Sequence, residues 1–446
     1  MQRPAGVYRA KAKVSAMQFL LVLAILAVPP TVLGRLIEQY AWRQVDFTFN
    51  NDSHREEALR SGAYNPAKAL PLGIARYGER VFVSLPKWKS GTPATLATVP
   101  ASNDGNQSPL LTPYPDWTWH GRPDGDCDGL TSVFRMEADQ CGRLWVLDAG
   151  LINVAEGGKQ ACPPQLFIFD LKSDTLMRKY RFPQSSLKSN SFLTGITLDV
   201  DGTMCSSQED DAFAYIADVW AFGMVVYSFK QDKSWRVEHE YFHPDPLACK
   251  FNATGISFRW LDGLFGIALS PLNREDPTAV RTMYFHPMSS YREFSVPTSV
   301  IRNETAAGDS ADAFTVYEKR GRTLSHASAS AMSAQGILLY NLVSKDAVGC
   351  WNTRVPHIEA LQGIIDQDPV RLSLPNDITV DLDDNVWVLS DRLHKYLYQN
   401  LDPNDVNFRV LTAKVTDVVR GTVCDPERQH DPSVLAPRKP ECNEDL

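Results

Sequence analysis

The chain has 446 residues, enough for three average domains or for one large all-β fold. With 43% hydrophobic, 22% charged and 10% aromatic residues, it can pack a core, which excludes global disorder. Its 45 basic against 53 acidic residues leave a net charge of −8, which excludes a nucleic-acid backbone as the main partner.

Residues 1–34 read as a signal peptide. Arg3, Arg9, Lys11 and Lys13 form a positive segment, and Phe19 to Val28 is an apolar run. Val32 and Gly34 then stand at the −3 and −1 positions of a cleavage site. The run is too short to span a hydrocarbon core of about 30 Å, so no membrane anchor is expected. Cleavage would remove four basic and no acidic residues, leaving 41 against 53 and a net charge of −12. The expected product is secreted, extracellular and acidic.

Residues 35–422 read as one repeating all-β unit. Trp42 to Phe49 alternates Val45, Phe47 and Phe49 on one face, as a half-buried strand does, and is expected to complete the last repeat. Gly142-Arg-Leu-Trp-Val-Leu-Asp148 is echoed by Asp384-Asn-Val-Trp-Val-Leu-Ser390. Related turn-then-strand segments surround Phe82, Tyr215, Phe265 and Leu338, giving six anchors with Trp145 and Trp387. From Trp145 onward the spacings are 70, 50, 73 and 49. About ten residues upstream, a Gly-Ile-like pair opens another strand: Gly73-Ile74, Gly129-Leu130, Gly195-Ile196, Gly255-Ile256 and Asp377-Ile378. The fifth copy, around His326 to Ala329, is degenerate. Leu166 to Phe169, Met224 to Phe229, Arg281 to Phe285 and Lys395 to Tyr398 read as third strands. Repeats of this kind without amphipathic helices predict a six-bladed β-propeller, with two β-sandwiches as the alternative. Residues 423–446 form a polar, Pro-rich tail.

Eight cysteines (Cys127, Cys141, Cys162, Cys205, Cys249, Cys350, Cys424 and Cys442) include no CxxC pair. In an oxidising compartment an even number predicts disulfides, with the pairing left open. Asn51, Asn106, Asn252 and Asn303 head N-glycosylation sequons.

His239-Glu-Tyr-Phe-His243 matches the HExxH pattern, but Pro244 disfavours the helix that the pattern needs. Read as a strand, it would hold the two histidines about 13 Å apart, too far for one zinc. No metal site and no cofactor are expected.

Leu85-Pro-Lys-Trp-Lys-Ser-Gly-Thr-Pro-Ala-Thr-Leu-Ala97, Cys127-Asp-Gly-Leu-Thr-Ser-Val133, Arg143-Leu-Trp-Val-Leu-Asp-Ala-Gly150, Tyr215-Ile-Ala-Asp218, Leu374-Pro-Asn-Asp-Ile378 and Trp387-Val-Leu-Ser-Asp391 resemble the insect yellow and major royal jelly protein family. The segment Lys87 to Thr95, with Cys141 and Cys162-Pro-Pro164, resembles the yellow branch. The resemblance implies a secreted six-bladed propeller tied to melanin pigmentation of cuticle. Some members are dopachrome-converting enzymes, and salivary relatives bind biogenic amines in the central channel. It therefore implies a catecholamine or biogenic amine as small-molecule partner, with cuticle components as possible further partners.

In a propeller, residues preceding the innermost strands converge at one channel mouth. Here they are Leu72, Asp128, Thr194, Thr254, the His326/Ser328 region and Asn376. A carboxylate, two hydroxyls, an amide and an imidazole suit a cationic amine or a catechol. Asp128 and His326 are the candidate acid–base groups for dopachrome conversion. In the amine-binding relatives Asn376 matches a ligand-contacting Asn, whereas Ile378 stands where they carry an aromatic. Gluconolactonase-like propellers hold a divalent ion at this mouth, but Asn376 and Asp128 beside Leu72 offer too few oxygens.

Overall fold

The computed structural model describes residues 35–430, apart from 124, 203–204, 206–209, 274, 277–279, 306–310 and 322–323. The expected signal peptide and most of the tail, Cys442 included, lie outside the described residues. Six four-stranded antiparallel sheets stand round one axis. Their innermost strands are Gly73–Tyr77, Val133–Ala138, Leu193–Asp199, Leu264–Leu269, Ala327–Met332 and Pro375–Val380, numbered here as blades 1 to 6. Each innermost strand touches the next, and blade 6 touches blade 1, so the ring is closed. The fold is the six-bladed β-propeller.

Closure at blade 6 joins the two ends of the chain. Ile37–Trp42 pairs with Phe408–Lys414 as the outermost strand, so the ring is fastened by hydrogen bonds between residues far apart in sequence. The closing strand therefore lies upstream of the predicted Trp42 to Phe49 run. Past Trp42, Phe47 alone in that run makes a bridge, to Leu111, while its ring packs against Tyr64.

The glycines of the innermost strands sit where no side chain fits. A Cβ on Gly73 would lie 2.9 Å from the Phe134 carbonyl, and one on Gly266 would lie 2.8 Å from that of Ser328. Close approach of adjacent blades requires the missing side chain there.

Five of the six anchors (Phe82, Trp145, Tyr215, Leu338 and Trp387) occupy second strands. The exception is Phe265, which lies on the innermost strand of blade 4. Gly255-Ile256, expected to open that blade, belongs instead to an added hairpin, Lys250–Ala253 with Ile256–Arg259. The hairpin turns through Thr254 and Gly255, both at positive φ, as a tight two-residue turn demands. Lys395 to Tyr398 is likewise not a third strand. It lies in the helix Leu393–Tyr398, where Leu393 and Tyr396 are buried three residues apart.

Disulfides join Cys127 to Cys162, Cys141 to Cys205 and Cys350 to Cys424, the last tying the start of the tail to blade 5. Cys249 is buried and unpaired. Thiol titration of denatured, unreduced protein is expected to find two free groups or fewer, Cys249 and Cys442. Four or more would contradict the pairing.

Candidate functional site at one mouth of the channel

Loops at one end of the propeller enclose a cavity of about 220 Å³. Much of its wall is aromatic. Trp88, Phe134, Phe192 and Trp220 follow one another round it, with ring centroids 5.8, 5.3 and 4.4 Å apart. Trp260 and Phe265 add two more rings, and Leu393 and Leu397 face them from the blade 6 helix. Such a surface has the shape and polarity of a site for a small planar ring.

Three polar residues interrupt this wall: Thr194, Asn376 and Asp262. Thr194 is almost wholly buried, and its hydroxyl has no partner among the described residues. Asn376 is more committed. Its Nδ2 donates to Asp391 at 2.7 Å and its Oδ1 accepts from Arg135 at 3.2 Å. Arg135 also pairs with Asp377 at 2.7 Å. This buried network forms the cavity floor, and burial pushes the Asp391 carboxyl up to about 7.

Asp262 differs from these carboxylates in having no basic neighbour, among the described residues, to offset its desolvation. It leaves the added hairpin two residues after Trp260 and precedes the innermost strand of blade 4. The aromatic wall desolvates the partly buried side chain and pushes its pKa up to about 6, opposed only by a hydrogen bond with Trp220. An unpaired carboxylate facing aromatic rings attracts a compact organic cation twice over, by charge and by the ring quadrupoles.

Of the residues placed here from sequence, Leu72, Thr194 and Asn376 line the cavity, and Asp128, Thr254, His326 and Ser328 do not. Asp128 is exposed and pairs at 3.0 Å with Lys179 on the outermost strand of blade 2. Its Gly-Leu pair precedes a loop, and the innermost strand begins only at Val133. Thr254 is the hairpin tip, bonded to His394 at 2.7 Å and to Ser373 at 3.2 Å. His326 is sealed off: its Nε2 meets the Ala248 carbonyl at 2.8 Å and its ring stacks on Phe251 at 3.8 Å. Burial pushes its pKa down to about 4. Ile378, two residues along the strand from Asn376, lies below the floor in a second cavity of about 140 Å³. There Glu137 is held up at about 8 by burial, with Arg281 partly offsetting it.

Sequence reasoning missed Asp262 because Gly255-Ile256 was assigned to blade 4. The pattern Trp260-Leu-Asp262, directly before Gly263, was the available signal. The HExxH segment leaves its strand at Glu238. His239 caps a short 3-10 turn, Glu240–Phe242, and stacks on Phe314 at 3.8 Å. Among the described residues no group of three or more His, Cys, Asp or Glu is placed to hold a metal. No helix among them is long and apolar enough to cross a membrane.

Residues 131–424 match the Major royal jelly protein family. The chain is 42% identical over 409 residues to Protein yellow of Drosophila yakuba, covering 91% of this chain and 74% of that protein. It is 41% identical, with the same coverage, to Protein yellow of Drosophila melanogaster. Among solved structures, virginiamycin B lyase from Staphylococcus aureus superposes with a TM-score of 0.41 at 11% identity. That match spans 77% of this chain and 94% of that one, a likeness too distant to bear on function.

Proposed function

This chain belongs to the yellow branch of the major royal jelly protein family, and from that membership we propose that its aromatic cavity takes up a protonated catecholamine or related aromatic amine. The protein is secreted and acts in melanin pigmentation of the cuticle. The observation that carries this reading is Asp262: a carboxylate without a basic partner, set in a wall of aromatic rings. The ligand's ammonium group meets Asp262, its ring lies among Trp220, Trp260 and Phe265, and Thr194 and Asn376 face its hydroxyls.

The pH dependence follows from Asp262. A primary amine stays charged well above neutrality, so between about pH 4 and 8 the group titrating against the ammonium is the Asp262 carboxylate, while Asp391, raised to about 7, titrates behind Asn376. Its pKa without ligand is about 6. Affinity is therefore full above that value and falls as pH drops through it, by up to about tenfold per pH unit. Calorimetry with dopamine and serotonin at about pH 7.5 and about pH 5 checks this sign. Equal affinity at both values would remove Asp262 from the site.

A second reading is conversion of dopachrome. The same carboxyl has a pKa near the working range of a general base, which favours Asp262 over the outlying Asp128 and His326. Loss of dopachrome's visible absorbance, against a heat-killed control, separates enzyme from carrier. If neither binding nor turnover occurs, the reading as a structural component of cuticle takes the lead.

A further inference from the structure

A groove of about 690 Å³ lies away from the channel, beside the helix Asp52–Ser61. Its wall carries an aromatic cluster that packs against the core but stays partly exposed. Phe49 stacks on Trp117 at 5.0 Å and 22°, His54 meets Trp117 edge-on at 4.8 Å, and all three are half-exposed. Thr92 also lines it, only 4% exposed, with a hydroxyl that has no partner among the described residues.

Between the groove-lining residues Phe49 and His54 in the chain stands Asn51, the cap of the helix and the head of the sequon Asn51-Asp52-Ser53. Its Oδ1 accepts from the His54 backbone N–H at 2.8 Å, and its Nδ2 has no partner among the described residues. The capping bond leaves the amide nitrogen available while fixing the side chain between Phe49, two residues before, and His54, three residues after. We propose that Asn51 carries an N-linked glycan whose first sugars lie in this groove against Phe49, His54 and Trp117.

The chemistry of both sides fits. Asn51 Nδ2 would displace the diphosphate from C1 of a lipid-linked oligosaccharide, forming the N–C bond and losing one N–H proton. The linkage keeps Oδ1 as a carbonyl, so the helix cap survives. The C–H face of a sugar ring carries partial positive charge and suits the negative face of an aromatic ring. Its hydroxyls can satisfy Thr92 at the groove wall. Lys87, Lys89 and Arg122 line the same groove against one carboxylate, Glu57, so it disfavours the cationic amine assigned to the channel. Asn252 is less free, because its Nδ2 donates to Ser257 at 2.9 Å within the added hairpin.

The test uses the full chain secreted from insect cells. Peptide mass spectrometry is expected to find Asn51 occupied, and an unmodified Asn51 would overturn the proposal. Ser53→Ala removes the sequon but keeps the Asn51 cap. It is expected to lower Tm by about 1–3 °C and to expose Phe49 and Trp117 to hydroxyl-radical labelling. Wild-type protein trimmed to the first sugar is expected to keep most of the protection. If Asn51 is occupied but Ser53→Ala changes neither the labelling of Trp117 nor Tm, the glycan points into solvent and the seat is wrong.

Discussion

Asp262→Asn is expected to weaken binding of a protonated aromatic amine by about ten- to a hundredfold. A hydrogen bond to a charged group contributes about 1.5–3 kcal/mol, and the substitution removes the charge while keeping the size and one acceptor oxygen. Burial disfavours the charged form of Asp262, and no basic partner repays that cost. The neutral amide should therefore leave Tm unchanged or slightly raised. This separates loss of the ligand from loss of the fold, and calorimetry beside a melting curve reads both. Asp128→Asn is the control. Its carboxylate is exposed and held by Lys179, so binding should remain at the wild-type level.

The largest effect on stability is expected at Arg320, far from the cavity. Arg320 and Glu293 are both fully buried and pair at 2.8 Å. The guanidinium also bonds the carbonyls of Ser290, Arg292 and Ser325, joining blade 4 to the approach of blade 5. Glu293 in turn faces His286 Nδ1 at 3.0 Å, and His286 Nε2 meets the Ser328 carbonyl at 2.7 Å. Removing one partner of a buried pair costs about 3–5 kcal/mol, because the remaining charge is left without compensation. Arg320→Met should lower the urea midpoint accordingly, and adding Glu293→Gln should restore part of the loss. If the single variant unfolds at the wild-type midpoint, the pair does not hold the two blades together.

Much of the propeller was legible because each blade repeats a turn and a short apolar strand, and five anchors fall on second strands. The departures have local causes. The added hairpin carries the same glycine-led, alternating pattern as a blade strand, so Gly255-Ile256 mimicked the start of blade 4 and displaced Phe265 by one strand. Lys395-Tyr-Leu-Tyr398 has strand-like composition, yet a helix buries Leu393 and Tyr396 on one face. At the site, Thr194 and Asn376 were found because they lie on true innermost strands. Asp128 and Thr254 were misplaced because their glycine pairs belong to a loop and to the hairpin tip. Asp262 lies on the connection that carries the added hairpin between blades 3 and 4, outside the repeated strand pattern, so the repeat did not point to it.

The most direct measurement of the central claim is a crystal structure of the protein with dopamine. The ammonium nitrogen is expected within hydrogen-bond distance of the Asp262 carboxylate, with the catechol ring among Trp220, Trp260 and Phe265. Dopamine found instead beside Glu137 in the lower cavity, with the aromatic cavity empty, would contradict it.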